Sequence, residues 1–198
     1  MSLRNVVFIA LIAFAVWQCR AAETVTLGPG VKVDTAPVQT QINNAKPFDF
    51  NDFLITPLAD FSLQAKVLSR EDYWLDKESE LAPTDLALGW QNMSDESVLS
   101  QIDIRQSGRW YRWRVEQFPI PRRELETQSA NMHIVPADDH VAAMLDLVKS
   151  GQIISLKGQL IKAQAIDGWH WQSSLSREDT GANACELIYV TELVIEQS

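Results

Sequence analysis

Six arginines, Arg105, Arg109, Arg112, Arg114, Arg122 and Arg123, fall in a stretch of nineteen residues whose single acid is Glu116. Trp110, Tyr111 and Trp113 are interleaved with them. Guanidinium groups set between aromatic rings suit an anionic or carbohydrate ligand, because one supplies forked donors and the other a flat stacking face. The same arginines also suit internal pairing with Glu71, Asp72, Asp76, Glu78 and Glu80, so both readings of the series stand.

The other reactive side chains form weaker patterns. His133, His140 and His170 share neither an i, i+4 spacing nor a neighbouring Cys-x-x-Cys, so no metal site is assigned. Cys185 with His133 or His170, and Glu186 or Asp138 as the acid, would make a nucleophilic set, although no nucleophile elbow or glycine-rich approach accompanies it. Asp179-Thr180-Gly181-Ala182 matches the catalytic loop of aspartic proteases in its letters. Ser176, Arg177 and Glu178 precede it instead of an apolar strand, and no glycine follows Gly181, so it reads as a turn held by the Asp179 side chain. No catalytic residue and no cofactor is assigned.

The elements that must position these residues follow from periodicity. Phe61, Leu63, Ala65 and Val67 alternate with polar residues and predict a strand over 60–69. The run 83–90 reads as a short helix closed by Gly89, and Ser94 as the cap of another turn. Residues 102–106 and 109–115 predict a hairpin through Ser107-Gly108, with Tyr111, Trp113 and Val115 on one face and Trp110, Arg112 and Arg114 on the other. A strand over 131–135 ends at Pro136. Val141, Met144, Leu145 and Val148 predict an amphipathic helix over 139–150, capped by Asp138 and stopped by Gly151. The apolar phase of the next strand shifts after Gly158, which signals a bulge or bend. Asp167-Gly168 predicts a two-residue turn, and 185–196 a final strand. The expected fold is α+β, mainly antiparallel β: a partly open, OB-like barrel with one amphipathic helix, preceded by an N-terminal apolar helix.

Arg4 followed by an apolar run from Val6 to Trp17 describes a secretory segment. Its length is marginal for spanning about 30 Å of hydrocarbon, and the best small-residue cleavage site, Cys19-Arg20-Ala21, holds a charge, so a retained anchor and a cleaved signal both stand. The expected organisation is a signal or anchor helix over 1–21, a linker or stalk over 22–57 rich in glycine and proline, and a soluble domain over 58–198. Residues 3–17 would meet the inner membrane, leaving the domain on the periplasmic side or free in the periplasm. The net charge is −9, and loss of Arg4 and Arg20 with a leader would take it two units further negative, which excludes nucleic acid as a general partner. Cys185 is expected to be a buried thiol.

The segments 81–90, 106–111, 131–137 and 171–181, with Cys185-Glu186, resemble a group of bacterial exported or membrane-anchored proteins to which no activity is assigned. The likeness spans 61–190. It directs attention to Arg109, Asn131, His133, Arg177, Asp179 and Glu186 as polar residues converging at one mouth of the barrel, with Trp110, Arg112 and Arg114 completing a ligand-binding set. The reading is a non-enzymatic envelope domain binding an envelope protein or a small anionic or glycan ligand. The alternative is an envelope hydrolase using His133 or Cys185.

Overall fold

The computed structural model describes Asn5, residues 24–176 and residues 185–197. The expected N-terminal apolar helix, Arg177, Asp179 and the Asp179–Ala182 motif lie outside the described residues. Among the described residues no helix is long and apolar enough to cross a membrane.

The chain is mostly β, with ten strands among the described residues: β1 (Val38–Gln41), β2 (Phe48–Phe50), β3 (Phe53–Asp72), β4 (Thr84–Gly89), β5 (Ile102–Ser107), β6 (Trp110–Val115), β7 (Ser129–Pro136), β8 (Ile153–Ala165), β9 (His170–Gln172) and β10 (Glu186–Gln197). The helices are α1 (Lys77–Leu81), α2 (Glu96–Leu99), α3 (Arg122–Thr127) and α4 (Asp139–Leu147), with a 3-10 turn over Gln91–Ser94. Strand pairing runs β3 to β4 to β7 to β10 to β8 and back to β3, a closed circuit of five strands. Every pairing is antiparallel except β7 with β10. β1, β2 and β9 extend the circuit at its edges, and β5 with β6 forms a separate two-stranded ribbon.

Alternation sorts the residues into an inside and an outside. Phe61, Leu63, Ala65 and Val67 of β3, Leu86 and Leu88 of β4, Met132 and Ile134 of β7, and Ile188 and Val190 of β10 share one core with Val141 and Leu145 of α4. A second apolar layer, around Ile55, Leu81, Val135 and Leu187, covers the outer side at the other end. Each fully buried aliphatic side chain contributes roughly 1.5–3 kcal/mol.

The phase shift expected after Gly158 is present, and its cause sits on the partner strands. The register of β3 slips between Pro57 and Ala59 opposite Ile161 and Leu160, so Leu58 is the extra residue and both Leu160 and Ile161 are buried. Gly158 itself admits β10, because a Cβ there would lie 2.0 Å from the Tyr189 carbonyl oxygen.

Several expectations are corrected. Residues 84–89 form a strand instead of a helix, since all six are buried and the segment has no polar face to show a period. Asp95, not Ser94, caps α2, accepting from Ser97 N; the Ser94 hydroxyl instead accepts from Lys32 N and Val33 N, both at 3.0 Å. Helix α4 ends at Leu147, with Asp138 as its cap. Four residues separate β8 from β9; Ala165 N bonds to Trp169 O, which leaves three residues, 166–168, in the turn itself, with Gly168 left-handed (φ 91°).

The largest correction concerns the expected linker over 22–57. Its described part is docked. Val25 N donates to Ser150 O, Val33 is 1% exposed in the main core, and β1 pairs with 59–62 of β3. Its glycines and prolines shape a strap whose hydrogen bonds go to residues far along the chain, so no local period announces it.

Candidate functional site

Antiparallel pairing of β4 with β7 sets Asp85 opposite His133 and Ala87 opposite Asn131. Leu86, Leu88, Met132 and Ile134 point into the barrel, so Asp85, Asn131 and His133 line the outer face. The ribbon turn closes over that face. Both central residues of the turn, Gly108 (φ 57°) and Arg109 (φ 68°), are left-handed, which makes Gly108-Arg109 the turn pair, one residue later than expected. A left-handed arginine costs about 1–2 kcal/mol. Its backbone offsets this by donating to the Tyr73 hydroxyl at 2.9 Å and accepting from Asn131 Nδ2 at 3.2 Å.

Asp85 is fully buried, and three side chains answer its charge while its register partner on β3, Glu71, opposes it. His133 Nδ1 lies 2.7 Å from Asp85 Oδ1, and Arg109 Nη1 lies 2.9 Å from the same oxygen. Asn131 Nδ2 donates to Asp85 Oδ2 at 3.3 Å and its own oxygen accepts from Gln106 Nε2 at 2.7 Å. Arg109 reaches further, to Ala82 O at 2.8 Å and Asp76 Oδ1 at 3.2 Å. Its guanidinium stacks on Tyr73, 3.8 Å from the ring centre, and the His133 ring lies 4.5 Å from that of Trp171. Buried charge of this kind persists only when paired and hydrogen-bonded throughout.

Local titration reflects this crowding. Burial, with the charges of Asp85 and Glu71, pushes the Tyr73 phenol up to about 12 against the pull of Arg109. Burial pushes Glu71 up too, helped by Asp72 and Asp85. Burial also opposes ionisation of Asp76, but the Ser79 N–H and Arg109 prevail and hold it below the usual carboxylate range. On the ribbon's inner face Tyr111, whose hydroxyl bonds to Ser129 Oγ at 3.1 Å, is pushed up to about 12 by burial. A phenol whose folded pKa exceeds its unfolded value stabilises the fold below about pH 10, and that contribution is lost as the pH rises toward 12. The urea midpoint of the wild type is therefore expected to fall more steeply over that window than that of Tyr111→Phe; parallel slopes would remove Tyr111 as the cause.

Of the residues expected at one site, Arg109, Asn131 and His133 share Asp85. Trp110, Arg112 and Arg114 do not join them, because alternation along β6 turns them to the ribbon's exposed face. Glu186 is the register partner of Met132 and so is buried on the opposite side of the sheet from His133. Cys185 is half-buried, not buried, with its Sγ 4.0 Å from Asn131 Nδ2. His140 and His170 are exposed on α4 and β9. Asp85, Tyr73, Gln106 and Trp171 were not expected at the site, whereas Asp76 is one of the acids expected to pair with the arginine series and does so with Arg109. An acid immediately before the apolar run Leu86-Ala87-Leu88 was the available signal, and a helical reading of 83–90 hides it.

Chemically the constellation is a staple. Asp85 orients His133 as an acid orients a catalytic imidazole, yet the His133 side chain is 3% exposed. The Ser173 hydroxyl is spent on Ser174 O and Leu187 N. Among the described residues no group of three or more His, Cys, Asp and Glu is placed to hold a metal ion. Comparison of the chain with protein-family models, with curated proteins and with solved structures returns no match.

Proposed function

We propose that the chain is a non-enzymatic binding domain of the bacterial envelope that engages an envelope protein or a small anionic or glycan ligand through the outer face of the β5–β6 ribbon. The observation that carries this reading is the division of the ribbon into two faces. Ile102, Ile104, Gln106, Tyr111, Trp113 and Val115 turn toward the barrel, while Asp103, Arg105, Ser107, Trp110, Arg112 and Arg114 are turned to solvent or partly so. Arg105 is neutralised by Asp103 at 2.8 Å. Arg112 lies 5.8 Å from the Trp110 ring, and Arg114 has no ion-pair partner among the described residues.

An OB-like reading of the barrel supports the same conclusion. A long first strand shared around a five-strand circuit, a helix between the third and fourth strands of that circuit, and a parallel third-to-fifth pairing are features of that arrangement. In such barrels the face of the second and third strands receives ligands. Here Arg109 and Trp171 occupy that face from within the chain, which moves recognition outward onto the ribbon. Export follows from Arg4 and the apolar run over 6–17, and attachment to the inner membrane or release from it depends on cleavage there. The hydrolase alternative has the 2.7 Å Asp85–His133 contact in its favour, but it requires a substrate to reach an imidazole screened by Trp171.

Heparin serves as an anionic glycan probe. Substituting Arg112→Ser with Arg114→Ser is expected to lower its affinity at least about tenfold, with stability changed by no more than about 0.5 kcal/mol, as for exposed positions generally. Unchanged heparin binding, or a large loss of stability, would overturn the assignment.

A further inference from the structure

Three loops that are distant in sequence meet at one end of the barrel, and each raises large apolar side chains into solvent. Trp74 is 68% exposed, Leu75 92% and Trp110 42%, and Ile166 is fully exposed. Each is the immediate chain neighbour of a residue in the ion-pair network. Trp74 follows Tyr73, whose hydroxyl receives the Arg109 N–H; Leu75 precedes Asp76, which binds Arg109 Nη2; Trp110 follows Arg109 itself. Ile166 precedes Asp167, whose carboxylate pairs with Lys77. Lys77 in turn lies 5.7 Å from the Trp169 ring. The tips are thus held together by hydrogen bonds and ion pairs, although Leu75 and Ile166 bury almost nothing within the chain and Trp74 and Trp110 leave much of their rings in solvent.

Apolar surface gathered on fixed loops marks an interaction site more often than chance exposure, and tryptophan is the residue most enriched at the centre of interfaces. The rim of this patch keeps an excess of acid: Asp72 pairs with Arg70, Asp76 with Arg109 and Asp167 with Lys77, which leaves Glu71, Glu78 and Glu80 without an ion-pair partner among the described residues. Such a rim repels an anionic lipid surface and attracts lysine and arginine.

We propose that the end formed by Trp74, Leu75, Trp110 and Ile166 docks a cationic amphipathic segment of a partner protein, the apolar side chains of that segment seating on the tips and its lysines or arginines on the acidic rim. This surface is distinct from the arginine face of the ribbon and meets it only at Trp110.

The test uses the full chain and calorimetry, with a synthetic amphipathic Leu–Lys peptide as probe. The peptide is expected to bind, and the double substitution Trp74→Ser, Leu75→Ser is expected to weaken it at least about tenfold. Leu147→Ser, at an exposed leucine on α4, leaves binding unchanged, as does Arg112→Ser with Arg114→Ser, which separates this proposal from the ribbon reading. A Leu–Glu peptide of the same pattern does not bind. Equal affinity in the Trp74/Leu75 variant, or equal binding of the Leu–Glu peptide, would overturn the proposal. So would phosphatidylglycerol vesicle binding that the double variant abolishes, which makes the occupant a membrane. A concentration-dependent dimer abolished by that variant makes it a second copy, with the same consequence.

Discussion

Asp85→Ala is expected to remove about 3–5 kcal/mol of stability, the usual result of deleting one partner of a buried ion pair. The carboxylate is fully buried and receives His133, Arg109 and Asn131 together, so its loss strands a guanidinium and an imidazole that other contacts hold in place. Against a total stability of roughly 5–15 kcal/mol, this is a large fraction. Urea unfolding followed by circular dichroism should show a much lower midpoint with an unchanged slope. The physical cause can be isolated with Arg109→Ala in the Asp85→Ala background. The Asp85–Arg109 contact is counted in both single losses and can be lost only once, so the double variant is expected to be less destabilised than the two single losses combined. A loss under about 1 kcal/mol for Asp85→Ala would mean that the cluster is solvated and is not the staple that fixes the ribbon.

Gly151→Ala carries the second largest expected effect. Gly151 is left-handed (φ 91°), and an added Cβ would lie 1.7 Å from the Val25 carbonyl oxygen, a backbone atom with no rotamer to yield. Strain in a left-handed alanine and overpacking against fixed backbone together come to about 2–4 kcal/mol. The site is also a crossing point: Gly151 N donates to Val67 O at 2.7 Å, and Gly151 O accepts from the buried Lys66 Nζ, which pairs with Glu96 at 2.7 Å. Release of residues 24–33 is the structural result expected, because the strap is the part able to move away. Limited proteolysis should therefore cut there in the variant and spare it in the wild type. A variant as stable and as resistant as the wild type would restore the view of these residues as a free linker.

How far the residues themselves announced these features depended on whether each segment had two different sides. The strand at 60–69, the ribbon strands and the helix beginning at 139 each bury one face and expose the other, and their periods of two or 3.6 were legible. The division of β6, with Arg112 and Arg114 opposite Tyr111 and Trp113, was read from spacing alone. The phase shift after Gly158 likewise revealed the bulge, though not that Leu58 of the partner strand causes it.

β4 had no such contrast. Buried on both faces, Thr84–Gly89 lost its alternation and was read as a helix, and Asp85 went unnoticed with it. Arg109 shows the same limit from the other direction. Its membership in an arginine series was plain, and pairing with Asp76 stood among the readings of that series, but its contact with the buried Asp85 came from a left-handed turn one residue later than expected.

The amino-acid order by itself therefore determined the half-exposed elements, the mostly β character, the acidic balance and the two-faced arginine ribbon, because each of these is a local property of composition or period. Only the tertiary structure decided the closed circuit of strands, the docking of 24–57, the sharing of Asp85 by Arg109, Asn131 and His133, and the meeting of Trp74, Leu75, Trp110 and Ile166 at one end. Those features join residues tens of positions apart, and a side chain buried on all sides, or bonded to a distant loop, leaves no periodic trace in its own neighbourhood.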